Sequence, residues 1–143
     1  MSISLWMLLA FAAWTMLVLV AGIGTRRLTL VFTGKAGMAS FPADVPTGSN
    51  GYRRAMRAHA NCVENLPIFG ALVLTANAVG LRSVQIDVLA VIVMAARIVQ
   101  SLIHTCFIER NATVAVRFTF FMVQLVAMLW MGALIVAATA API

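Results

Sequence analysis

Charge is what this chain has least of. Only four acidic residues, Asp44, Glu64, Asp87 and Glu109, stand among 143, and charged side chains are 10% of the total. A soluble domain carries roughly 25%, so an ordinary water-facing surface is excluded. Cysteine is nearly absent: Cys62 and Cys106 have no CxxC spacing and no metal-ligand set nearby, so no metal site is expected. Both lie in apolar segments and read as small buried hydrophobes. Tyrosine occurs once, at Tyr52, and no repeat or low-complexity tract stands out. The ten Lys+Arg exceed the acids to give +6. In a soluble protein that excess would raise the question of nucleic acid, but no basic cluster with interleaved aromatics and no nucleic-acid motif is present. The cations read as orientation signals and functional charges.

What is present is long apolar sequence, 63% of the chain, enough for four spans at about 20 residues each. The expected fold is an all-α integral membrane protein, a four-transmembrane-helix bundle in one domain over 1–143, with spans at about 3–23, 52–79, 86–107 and 113–138. The first span is too long for a signal-peptide core, and no basic segment precedes it. Gly22 and Gly24, followed by Arg26 and Arg27, are expected to close it. The linker 25–51, with its core GKAGMASFPADVPTGSNG, reads as an irregular cytoplasmic loop by turn chemistry. The Lys/Arg bias sets orientation. Arg26, Arg27, Lys35, Arg53 and Arg54 cluster around the first connection, and Arg110 and Arg117 around the third. Only Arg82 marks the second. Both termini are therefore expected on the non-cytoplasmic side, with Trp6 and Trp130 as candidate interface anchors.

Polar residues inside such spans cost about 2.5–3.5 kcal/mol each when charged and usually face a bundle interior or wet cavity. Positions i, i+3, i+4 and i+7 share a helix face. On the second helix Arg57, Asn61 and Glu64 form such a row. On the third, Arg97, Gln100, Ser101 and His104 form another, and on the fourth Arg117 and Gln124 flank Phe121. The topology gathers all three rows at the cytoplasmic end. An internal salt-bridge network would explain them in part, but three arginines face one glutamate. An anionic ligand or open water would resolve the surplus, and an anion with more than one carboxylate and one amine fits best: arginines would fork onto carboxylates and Glu64 would hold the ammonium. His59 lies off this row and also suits a helix–helix hydrogen bond. Pro67 frees the carbonyl of Val63 and is a candidate kink.

The stretch RAMRAHANCVENLPIF, at 54–69, closely resembles the signature of the MAPEG family, membrane-associated proteins in eicosanoid and glutathione metabolism. FPADVPTGSNGYRR before it, and ARIVQSLIHT and the Arg117 region after it, extend the resemblance over essentially the whole chain. The resemblance implies a homotrimer with glutathione as co-substrate, held between neighbouring subunits near the cytoplasmic side. Carried over by position, Arg57, Asn61 and Glu64 would bind the tripeptide, with His59 matching the motif. Arg97, Gln100 and His104 would contribute from the third helix, and Arg117 would stabilise the glutathione thiolate. The implied activity is glutathione transfer to lipophilic electrophiles, or reduction of lipid hydroperoxides, by a microsomal-type glutathione transferase. The lipophilic partner would arrive from the bilayer. Family tyrosines on the third and fourth helices are replaced at or near their places by His104 and Phe121, and Phe118 rather than serine follows Arg117.

Two alternatives stay open. One is a non-catalytic scaffold of the same family that binds lipid or glutathione. The other is a small anion channel, disfavoured because 66–76, 88–96 and 125–138 hold almost nothing polar apart from Thr75. The linker favours a bacterial inner membrane, and no ER-retrieval signal is recognised.

Overall fold

The computed structural model describes residues 1–41, 48–108 and 110–140. Residues 42–47 of the expected loop and Glu109 of the expected third turn lie outside the described residues. Four long helices make up most of what is described: α1 (Ile3–Phe32), α2 (Asn50–Ala78), α3 (Val84–Cys106) and α4 (Asn111–Ala140). The last three agree with the expected spans to within about two residues, the ordinary uncertainty of a helix end.

The first helix departs from expectation. It does not close at Gly22 or Gly24 but passes through a π-helical stretch, Val18–Gly24, and continues as α-helix over Thr25–Phe32. Arg26 and Arg27 are therefore helical, and the irregular connection begins only after Phe32, with a short 3-10 turn at Met38–Ser40. Glycine inside a helix costs only about 1 kcal/mol, which contacts further along can outweigh. Arg27 Nε donates to Tyr52 Oη at 2.5 Å, and Arg26 hydrogen-bonds Ser49 Oγ and lies over the Tyr52 ring at 4.9 Å. These contacts tie the extra turns to the start of α2. Gly22 serves helix packing instead. A Cβ there would stand 3.0 Å from Ala55 Cβ, so the two backbones approach as closely as a missing side chain allows. Small residues permit such approaches between helices in lipid.

Local sequence explains the other boundaries. Ser49 caps α2 by accepting from Tyr52 N. Gly80, at φ +71, ends it, with Leu81 N bonded to Ala76 O at 2.9 Å and Gly80 N to Asn77 O at 3.1 Å, a glycine-terminated helix end. Ser83 then caps α3. Asp87, in the first turn of α3, accepts a hydrogen bond from Ser4 N at 2.8 Å. That contact places the N-termini of α1 and α3 at one end, and with the end of α1 tied to the start of α2 and short connections on either side of α3 the helices run up, down, up, down. The amino half of α2, the carboxyl end of α3 and the amino half of α4 all come to the other end.

The buried face of α2 is Tyr52, Ala55, Ala58, Cys62, Asn65, Phe69, Val73 and Ala76, steps of three and four that trace one side of a helix. It packs on α1 and α3, and α3 touches each of the other helices. Phe11 and Phe69 meet at 5.7 Å between ring centroids in the centre, with Val93, Met94, Met128 and Met131 around them. The helix stays continuous through Pro67. Large apolar side chains elsewhere point outward: Trp6, Trp130 and Phe118 are all more than half exposed, as a lipid-facing surface requires and a water-facing one avoids.

Among the described residues three helices, α1, α3 and α4, are long and apolar enough to cross a membrane. The fourth expected span, α2, has 29 residues but is not among them. Its amino half carries Arg53, Arg54, Arg57, Asn61, Glu64 and Asn65, the polar content that makes it the candidate functional helix and lowers its apolarity. A further correction concerns Cys106, which is exposed at the end of α3, whereas Cys62 is fully buried as expected.

Candidate functional site

The α2 row emerges on the outside of its helix: Arg57 and Glu64 are exposed, and Asn61 is half-buried beside them. From Asn61 a hydrogen-bonded chain crosses the bundle. Its amide meets His104 Nε2 of α3 at 3.2 Å, and His104 Nδ1 meets Arg117 Nη1 of α4 at 2.9 Å. A guanidinium can only donate, so Nδ1 accepts and the ring proton sits on Nε2. The arrangement that serves both contacts has the Asn61 carbonyl oxygen facing Nε2–H, since an amide oxygen and nitrogen exchange by a flip. A buried imidazole thus orients the Arg117 guanidinium without removing its charge. Three helices contribute one member each, and all three were expected at the site.

The remaining α3 residues point inward. Arg97 is 1% exposed and lies over the ring of Phe11 at 5.4 Å. Its Nε and Nη2 are buried and have no hydrogen-bond partner among the described residues. A buried guanidinium edge without acceptors is costly, and Nε with Nη2 is the pair that forks onto a carboxylate. Gln100 is buried and accepts from Gln124 Nε2 at 2.8 Å, pinning α3 to α4. Gln124 Nε2 also donates to Phe120 O at 2.8 Å. Ser101 Oγ lies 3.6 Å from Cys62 Sγ. His59 is half-buried and its Nδ1 finds no partner among the described residues, so the interhelical bond that was the alternative for it is not made there.

The row on α2 is longer than the three residues expected. Asn50, Arg53 and Arg54 continue it toward the helix start, and with Arg57 and Ile108 they line a recess of about 190 Å³. The signal is present in the sequence: 50, 53/54, 57, 61 and 64 repeat at three to four residues. The position of Arg53 and Arg54 next to a loop reads equally well as an orientation signal, which hides it. On the lipid-facing side, Leu89, Ile92, Met122, Val126 and Trp130 line a wide apolar groove of about 550 Å³ between α3 and α4.

The profile of the MAPEG family matches residues 4–137. No curated protein matches the chain. Since the match runs from the first turn of α1 to the last turns of α4 and takes in every residue of the site, the chain belongs to the MAPEG family.

Proposed function

We propose that the protein is a glutathione-dependent membrane transferase or peroxidase acting on lipophilic electrophiles or hydroperoxides. The single observation that carries this reading is the Asn61–His104–Arg117 chain, which gathers three helices around one oriented guanidinium. Family membership supports glutathione-related chemistry in general.

Glutathione offers two carboxylates, an ammonium and a thiol. An extended tripeptide spans at most about 10–11 Å, and seven helical steps from Arg57 to Glu64 cover about the same distance. Arg57 forks onto a carboxylate, Glu64 takes the ammonium, and the thiol lies toward Arg117. Free thiols titrate near ~8.5, so a cation beside the sulfur raises the thiolate fraction at neutral pH, each pKa unit being worth about 1.4 kcal/mol. The thiolate attacks an electrophilic carbon, a C–S bond forms and the leaving group departs with its electron pair. With a hydroperoxide the thiolate attacks the distal oxygen, the O–O bond breaks, the alkoxide takes up the proton the thiol released and leaves as an alcohol, and a second glutathione converts the sulfenic acid to disulfide and water. Phe118 and Phe121 supply no hydroxyl, so Arg117 and His104 do this without help from tyrosine or serine.

The exposed positions of Arg57 and Glu64 fit a tripeptide shared with a neighbouring copy in a homotrimer whose four helices all cross the membrane. The apolar groove between α3 and α4 suits entry of the second substrate from lipid. The cation bias favours an inner membrane with both termini non-cytoplasmic. A scaffold that binds without turnover is the second reading. It draws on the burial of Arg97 and the engagement of Gln100 with Gln124, which leave fewer side chains facing a ligand.

The test is turnover of chlorodinitrobenzene and of a lipid hydroperoxide with glutathione by the purified protein in detergent, alongside the ultraviolet thiolate band. Enzyme activity is expected together with a thiolate band that Arg117→Ala removes. Bound glutathione with no turnover of either substrate would leave the scaffold, and no binding of glutathione would reject the enzyme and leave only a scaffold for lipid.

A further inference from the structure

We propose that the outer end of the α2 row is a separate anion site for a phosphate-type oxyanion, either a phospholipid headgroup or free phosphate. This goes beyond the glutathione reading. Asn50, Arg53 and Arg54 stand one to two turns before Arg57, and together with Ile108 these residues line the recess of about 190 Å³. That volume is several times the ~30 Å³ share of one water. Arg54 is among the lining residues, and its Nε is buried against the protein without a hydrogen-bond partner among the described residues.

Length separates this recess from the tripeptide. If glutathione occupies Arg57 to Glu64, its roughly 10–11 Å reach is used, and Arg53 and Arg54 lie beyond it. Chemistry selects the ligand class. One guanidinium satisfies a carboxylate bidentately, whereas several guanidiniums and an amide suit an anion with three or four oxygens. Position favours the membrane surface. The recess lies where α3 has just ended at Cys106, and one wall is Ile108, 68% exposed. Arginines at that level are drawn to anionic headgroups, while an apolar wall accommodates the glycerol and upper chains.

The full-length protein in neutral detergent would be titrated with short-chain phosphatidylglycerol, with diacylglycerol of the same chains, and with inorganic phosphate. The readouts are thermal shift and native mass spectrometry of retained ligand. Phosphatidylglycerol is expected to bind and diacylglycerol not to. Arg53→Gln/Arg54→Gln should weaken phosphatidylglycerol by about tenfold or more, as the loss of charge-assisted hydrogen bonds requires, and leave glutathione affinity unchanged. Inorganic phosphate binding as tightly as the lipid identifies a free oxyanion as the ligand of the same site. Equal binding of phosphatidylglycerol and diacylglycerol, or equal binding by wild type and variant, overturns the proposal. So does displacement of phosphatidylglycerol by glutathione, which would make the recess part of the tripeptide site. Lipid binding that the variant loses, in a protein that never binds glutathione, sinks the glutathione reading and leaves the phosphate site standing.

Discussion

At the scale of single residues, His104 serves two helices through two separate ring nitrogens. It accepts from Arg117 through one ring nitrogen and reaches Asn61 through the other, so one side chain couples the polar row of α2 to the cation of α4. Removing a positioned donor from a developing or stabilised anion costs catalysis about 10²–10³-fold where comparable donors are deleted. Arg117→Ala is therefore expected to lower kcat/KM for chlorodinitrobenzene by that order, with Arg117→Lys intermediate, measured by initial rates at saturating glutathione. The Gln100–Gln124 pair gives a stability prediction. Both are buried, so Gln124→Leu strands the Gln100 amide and should cost about 1–3 kcal/mol. The double variant Gln100→Leu/Gln124→Leu, which removes both polar groups, should recover most of that. Thermal unfolding in detergent checks both, and equal losses in the single and double variants would contradict the pairing.

At the scale of elements, the junction of α1 and α2 shows how lipid-embedded helices gain stability. Between helices in lipid, close contact replaces the hydrophobic effect as the main attraction. Gly22 faces Ala55 with no room for a further carbon. Gly22→Val should push the helices apart and destabilise by about 1–3 kcal/mol, and Ala55→Gly in the same chain should restore part of it. A thermal shift that ignores the second substitution would place the strain elsewhere. The four helices are legible in the sequence because long apolar runs and three-to-four-residue periodicity are local properties. The continuation of α1 to Phe32 is not. Two glycines and two arginines carry a stop signal by themselves, and contacts with Tyr52 and Ser49, more than twenty residues away, outweigh it.

At the scale of the whole molecule, the +6 balance and the polar rows converge on one end of an apolar bundle. A ligand that binds only the folded state stabilises it by about 2.7 kcal/mol at a hundred times its Kd. Glutathione at that excess should raise the melting temperature of wild type and fail to do so in Arg57→Ala, monitored in the same detergent. Native mass spectrometry should show three copies of the chain, and a monomer that still binds glutathione and turns over would refute the shared site. Most of the candidate site can be named from sequence, but its wiring cannot. Arg57, Asn61 and Glu64 lie on one face of α2, and His104 meets Arg117. Arg97 and Gln100 turn into the bundle, and Arg53 and Arg54 line a recess where their sequence position suggests only an orientation signal.

By itself the amino-acid sequence determined how many long helices form and which side of α2, α3 and α4 is polar, and its Lys/Arg bias indicated which ends come together. The first two follow from hydrogen bonding and side-chain spacing along one helix. Only the tertiary structure decided how each helix is rotated about its own axis. That rotation depends on how a small residue such as Gly22 seats against Ala55 and how Phe11 fills the space beneath Arg97. Turning a helix by one residue is a step of about 100°, enough to change an arginine from a ligand group into a buried one.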